Sequence, residues 1–321
     1  MYLKNNTGLL GSYERLGGRE VFRPKPSFKD ILQSYMPQFV MAPSVLAALF
    51  FTYGFVLYTF YLSFTKSSMF PSHDLVGLAS YSKLWANFRW KISFNNFFIF
   101  GFLYVVFTTF VGLLLAILMD QRIRAEAFFR SILLYPMAIS FVVTGTVWRW
   151  LLNPQTGFER MAHEWGWLGF HFDWIVKQDL AIYTVVFAGV WQASGFVMVL
   201  FLAGLRSVDT NLIKAAQIDG APIWMIYWRI ILPSISPIVL AVLVILIQNA
   251  LKTFELVEAL TSGGPGVATS MPAIFVFDVM YGRGQLGQGA AGAVMMLVLL
   301  LAFIVPYYVY LRLLRARGSE Q

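Results

Sequence analysis

Six runs of apolar residues, each of about membrane-crossing length, decide what this chain can fold into. They cover residues 39–64, 94–118, 128–152, 180–204, 234–251 and 288–313. Crossing about 30 Å of hydrocarbon at about 1.5 Å per residue takes roughly 20 residues of helix. In lipid every backbone N–H and C=O has to be satisfied within the protein, so such runs are helices. Only 12% of the 321 residues are charged and 58% are apolar, whereas soluble domains carry about 25% charge. The expected fold class is an all-α membrane protein with six transmembrane helices.

Six spans place both termini on one side. That side holds 15 Lys and Arg residues and the opposite loops hold 7. Positive charge collects on the cytoplasmic face, so the termini are expected there. The net charge of +8 is mostly this bias, and no nucleic-acid partner is expected from it. The first 36 residues are polar and mixed in charge, unlike the basic head and short apolar core of a cleavable signal. The absence of Cys excludes disulfide and thiol chemistry.

Three parts follow. Residues 1–36 form a cytoplasmic tail, residues 37–313 the membrane domain, and residues 314–321 a second tail. In the first, Ser27-Phe28-Lys29-Asp30 reads as an N-cap with an acidic residue three positions on. It predicts a short amphipathic helix on the inner membrane face; for residues 1–22 a disordered tail is the alternative. The outer loop 65–93 carries Pro71, His73 and Asp74, with Trp85 and Trp90 as interface aromatics. Loop 153–179 carries Trp165, Trp167, His163 and His171. Two His residues eight apart in a loop do not make a metal site on spacing alone, so interfacial anchoring and partner contact are expected. Thr261-Ser262-Gly263-Gly264-Pro265-Gly266 breaks the helical pattern. A semi-polar stretch, residues 268–286, separates it from the last span.

Several chemistries are missing. No Gly-x-x-x-x-Gly-Lys-Ser/Thr loop is present, so ATP binding by this chain is not expected. Neither His-Glu-x-x-His nor Gly-x-Ser-x-Gly occurs. No cofactor and no metal are expected.

The connection 205–233 has internal structure. Thr210 or Asn211 can cap a helix through Leu212, Ile213, Ala215 and Ala216. Gly220 suits a turn. Pro222 suits the first turn of a second helix containing Trp224, Met225, Tyr227 and Trp228. Such a knob, lying parallel to the membrane on the cytoplasmic side, reads either as a docking surface or as a plain connector between spans.

At this point the chain resembles a known family. Ala215, Ala216, Asp219, Gly220, Ala221, Ile230, Leu232 and Pro233 stand in register with the Glu-Ala-Ala loop of ABC importer permeases; Lys214 stands where that family has Glu. Phe129-Arg130-Ser131, Leu134-Tyr135-Pro136 and Trp148-Arg149-Trp150 resemble the third span of its carbohydrate branch. Trp191, Gly195-Phe196 and Leu202-Ala203-Gly204-Leu205 resemble the fourth, and Phe254-Glu255-Leu256 through Leu260–Pro265 the stretch after the fifth. Residues 128–266 match in order.

The resemblance implies a type I (MetI-like) importer permease fold and a non-catalytic subunit that moves a sugar or glycoside by alternating access. It implies a second homologous permease, two ATP-binding subunits that carry the ATPase activity, and an extracytoplasmic sugar-binding protein. Lys214, Ala215, Ala216, Asp219, Gly220, Ala221, Pro222 and Trp224 would then couple to an ATPase.

Ionisable groups within spans point to function. Lys252, Glu255 and Glu258, spaced i, i+3, i+6, would share a helix face that Gln248 and Asn249 extend. That face reads either as a structural Lys252–Glu255 pair or as a wall of the translocation cavity. Trp191, Phe254 and Tyr281 are candidate platforms for sugar rings, and Gln192, Asn249 and Asp278 candidate partners for hydroxyls. Arg149 between two tryptophans reads as a snorkelling anchor. The alternative function is an ion- or proton-coupled secondary transporter using Lys252, Glu255 and Glu258.

Overall fold

The computed structural model describes residues 11–16, 19–24, 28–121 and 124–318. Two compact units divide at Tyr58 and Thr59.

The first unit holds an antiparallel hairpin, β1 (Gly11–Leu16) and β2 (Arg19–Pro24), in the register Tyr13↔Phe22 and Arg15↔Glu20. It also holds most of α1 (Phe28–Ser63). Ser27, the expected cap, lies outside the described residues. The chain from Phe28 onward does not form a separate surface helix. It is continuous with the first span, whose apolar part is Val40–Ser63.

The second unit is helical. In chain order it has α2 (Ala79–Ala86), α3 (Phe88–Asp120), α4 (Glu126–Ala138), α5 (Phe141–Leu151), α6 (Phe158–Glu164) and α7 (Ala181–Ser207). Then come α8 (Thr210–Ile218), α9 (Ile223–Ile226), α10 (Leu232–Ser234), α11 (Ser236–Leu251), α12 (Glu255–Thr261), α13 (Pro272–Phe277) and α14 (Leu286–Gly318).

Helix α7 is the axis of the unit. Val185, Val197, Met198 and Phe201 on it are fully buried, and α3 and α4 pack along it. Small residues set the spacing. A Cβ on Gly195 of α7 would sit 1.9 Å from the Leu133 carbonyl oxygen of α4. One on Gly145 of α5 would sit 2.7 Å from Ala259 Cβ of α12. In a bilayer, close approach of this kind drives helix association, because lipid tails compete for apolar contact.

The expected spans are present with two changes of shape. Val40–Ser63, Phe88–Asp120, Ala181–Ser207 and Leu286–Pro306 are single helices of spanning length. The third and fifth expected spans are bent pairs, by 98° between α4 and α5 and by 71° before α11. Pro136 lies inside α4 and disrupts the helical ladder near its end. Ser140 then starts α5 by accepting the Val143 N–H on its Oγ. In the fifth span Pro233 and Pro237 each lack an N–H, and the helix answers with a π turn at Tyr227–Ile231 and a break at Ile235.

The semi-polar stretch after Gly-Gly-Pro is structured. It forms α13 and a π turn, Asp278–Gly282, packed on α14. Asn96 of α3 donates to the carbonyls of Ala268 and Ser270, tying the preceding loop down. Trp90 is not an interface aromatic. It is fully buried among Leu84, Phe275, Val279 and Ala291, because α3 begins at Phe88, earlier than the apolar run indicates.

Candidate functional site

The break between α4 and α5 opens a cavity of about 570 Å³. Its wall is built from Ile139, Ser140 and Phe141 at the break, Tyr104 on α3, Gln192 and Phe196 on α7, Asn249 on α11, and Glu255. Irregular backbone at membrane depth is tolerated where it lines such a cavity. Gln192 uses the exposed main chain. Its Nε2 donates to the Ile139 carbonyl at 2.8 Å, while its Oε1, fully buried, has no hydrogen-bond partner among the described residues. Asn249 lies within hydrogen-bonding reach of the Tyr104 hydroxyl.

The expected site residues are only partly gathered here. Gln192, Asn249 and Glu255 line the cavity; Lys252, Glu258, Gln248, Trp191, Asp278 and Tyr281 do not. The reason for Lys252 and Glu258 is local. Helix α11 ends at Leu251 and α12 begins at Glu255, with Lys252 capping the first through its N–H to Asn249 O at 3.1 Å. Lys252, Glu255 and Glu258 therefore share no single helix face, and among the described residues no ion pair joins Lys252 to Glu255.

The others are committed elsewhere. Trp191 packs edge-on against Trp148 at 5.4 Å. Asp278 is paired with Arg89 at 2.5 Å, and Arg89 also donates to Ser270. Tyr281 is exposed and stacks on Phe277, which contacts Phe254. Arg149 ends α5 on an exposed face beside Trp150. Tyr104, Ser140, Phe141 and Phe196 were missed. The signal that could have found them is Pro136 followed by Ser140: a helix stop and a new N-cap inside one apolar run.

A second feature lies at the α8 end of the bundle. Asp209, not Thr210 or Asn211, caps α8, its carboxylate accepting the Asn211 N–H at 2.8 Å. Gly220 turns the chain with φ +77°, where a Cβ is strained. The turn closes through Gly220 N–H to Gln217 O and Ala221 N–H to Ala216 O, the pattern of a glycine C-cap. Pro222 is the N-cap of α9 and so precedes its first turn. Ile213, Ala216 and Ala221 face the core and Ile226 is buried. The outer side exposes Ile218 (86%), Ile223 (69%) and Trp224 (68%), an apolar knob. Lys214, Ala215 and Asp219 are exposed beside it.

Beneath the knob, Arg206 at the end of α7 reaches Glu126 of α4 at 2.9 Å and Asp120 of α3 at 3.6 Å. Glu126 also pairs with Arg130. Three helix ends are thus held together where α8 begins.

Residues 108–318 match the model of the family described as the binding-protein-dependent transport system inner membrane component. The chain belongs to that family. This inner membrane component is a multi-pass membrane protein and a permease subunit of an ABC importer. A probable ABC transporter permease of Pyrococcus horikoshii is 35% identical over 271 residues, 83% of this chain and 92% of the relative. The xylose/arabinose import permease XacH of Haloferax volcanii is 34% identical over 80% of this chain and 82% of its own length. The trehalose/maltose permease MalF of Thermococcus litoralis is 30% identical over 78% and 85%. A bacterial ABC transporter that imports the acidic polysaccharide alginate has a chain of the same fold, with TM-score 0.76, 20% identity, and coverage of 89% of this chain and 98% of that one. The helical permease fold expected from the sequence is therefore the fold observed, with the hairpin β1–β2 ahead of it.

Proposed function

We propose that this permease conducts a neutral sugar or glycoside delivered by an extracytoplasmic binding protein. The observation that carries this reading is the free Oε1 of Gln192. Gln192 lines a polar-walled cavity at a helix break, and among the described residues its Oε1 is a buried acceptor without a partner, which is costly unless one is supplied. Asn249 and Tyr104 add neutral donors and acceptors, and Phe141 and Phe196 add ring faces. Among the described residues Glu255 is the only charged side chain on the wall, and no Lys or Arg lines it. A carboxylate disfavours an anionic cargo at close range. Relatives named for xylose, arabinose, trehalose and maltose transport support the carbohydrate class.

The chain is driven from outside itself. The knob of α8 and α9 seats in a cytoplasmic ATPase subunit, one of two, and a second homologous permease completes the pathway. The termini are then cytoplasmic, as the Lys and Arg bias favours. ATP favours the closed ATPase pair, and the permeases follow as near-rigid bodies between outward- and inward-open states. The chain needs no cofactor of its own.

ATP-driven uptake by the reconstituted importer tests the reading. Gln192→Ala should cut sugar uptake by about tenfold or more, the loss of roughly 1.4 kcal/mol, while the basal ATPase rate stays unchanged. Wild-type uptake in that variant would remove the cavity from the pathway.

A further inference from the structure

The loop between α5 and α7 carries a constellation that conduction through the cavity does not use. We propose that Glu159, His163 and His171 form a zinc site there. One ligand atom from each residue lies within 4.8 Å of the other two. The spacing of eight between the histidines argues against a metal, but the fold reverses that reading. Glu159 and His163 stand one turn apart on α6, on the same face. The chain then turns at Gly166 (φ +91°), with Trp167 N–H bonding back to Ala162 O, and returns His171 to the same spot.

Two of the ligands, Glu159 and His163, are also held from behind, as metal ligands are. Glu159 Oε2 accepts the Phe172 N–H at 3.2 Å, which leaves Oε1 to face the cluster. His163 Nε2 lies 2.9 Å from the Phe170 carbonyl. A carbonyl can only accept, so Nε2 carries the proton and Nδ1 keeps the lone pair. His171 Nδ1 lies 3.0 Å from Glu159 Oε1. The nearby cations are engaged elsewhere, Arg160 with Glu164 and Lys177 with Asp173.

Two imidazoles and one carboxylate, with a fourth position open to water, are a zinc donor set. Bonds of about 2.0–2.1 Å in tetrahedral geometry place ligand atoms about 3.3 Å apart. The His171–Glu159 spacing already fits, and the third ligand needs to move in by roughly 1.5 Å at most. Zinc binds only neutral imidazole and ionised carboxylate, so protons compete with it and binding weakens as pH falls. The ion would staple α6 to the segment carrying Phe170, Phe172 and Trp174. Those rings wall a separate aromatic cavity of about 650 Å³ together with Trp148 and Phe158.

The test uses the full chain, purified in detergent without a polyhistidine tag, stripped with a chelator and titrated calorimetrically with zinc chloride. One equivalent of zinc should bind, more weakly at mildly acidic pH. His171→Ala, an exposed substitution whose ring contact is with His163, should weaken binding by about tenfold or more, since loss of even an outer partner costs that much. Glu159→Gln should do the same, and His73→Ala should not. Zinc should raise the melting temperature of the wild type and not of His171→Ala. Absence of saturable zinc binding, or binding that survives His171→Ala and Glu159→Gln unchanged, overturns the site.

Discussion

Gln192 on α7 donates its side-chain amide to the carbonyl of Ile139, 53 positions earlier, at 2.8 Å. One bond joins the most buried helix of the bundle to the point where the third span is broken. It stops the freed carbonyl from being orphaned and fixes the orientation of the unpaired Oε1 beside it. Gln192→Leu should therefore destabilise the solubilised protein by about 1 kcal/mol, the cost of a part-buried carbonyl left without its donor. Thermal unfolding in detergent measures it, and an unchanged midpoint would mean that the carbonyl finds another partner.

Gly195 makes the same helix pair possible sterically. Since a Cβ there would fall 1.9 Å from backbone oxygen, no side-chain rotation relieves the clash. Gly195→Ala should cost about 1–3 kcal/mol or more and lower the yield of folded protein. Gly54→Ala, with nothing within 4 Å of the new Cβ, is the matched control.

How much of this was legible in the sequence depends on what each residue's role requires. Apolar length alone finds the spans, because hydrocarbon thickness sets it. Gly220 could be read as a turn because only backbone conformation is at stake. The grouping of Lys252, Glu255 and Glu258 could not, since the i, i+3, i+6 rule assumes an unbroken helix and the chain breaks at Lys252 through Phe254. Asp278 reads as a free hydrogen-bonding group until the fold brings Arg89 to it from 189 positions away. Trp90 reads as an interface anchor until α2 and α13 close over it.

The Arg89–Asp278 pair fastens α3 to the arm before α14. Asp278 is 40% exposed, so screening limits its worth to about 1 kcal/mol. Asp278→Asn should shift stability by no more than that, and a double-mutant cycle with Arg89→Gln should show coupling. Additive effects would mean the two side chains act independently.

Loop 153–179 should respond to acid. The hydrogen bond from His171, then the N–H of Phe172, hold the Glu159 carboxyl below its ordinary 4.5. A carboxyl depressed by folding contributes stability that is complete above its unfolded value and is lost as pH falls through the folded one. Hydrogen-exchange protection of this loop should therefore fall only below about pH 4.5, and His171→Ala should move the transition upward. A transition insensitive to His171→Ala would separate the two residues.

The most direct measurement concerns the exposed knob. Trp224 is 68% exposed and Ile226 behind it is buried, so Trp224→Asp changes the exposed face proposed to dock and leaves the fold intact. Isolate the importer by a tag on this permease and quantify the ATPase subunit that comes with it. The ATPase should accompany the wild type and be lost with Trp224→Asp, while the second permease is retained. Equal recovery of the ATPase from both would contradict the coupling role of α8 and α9.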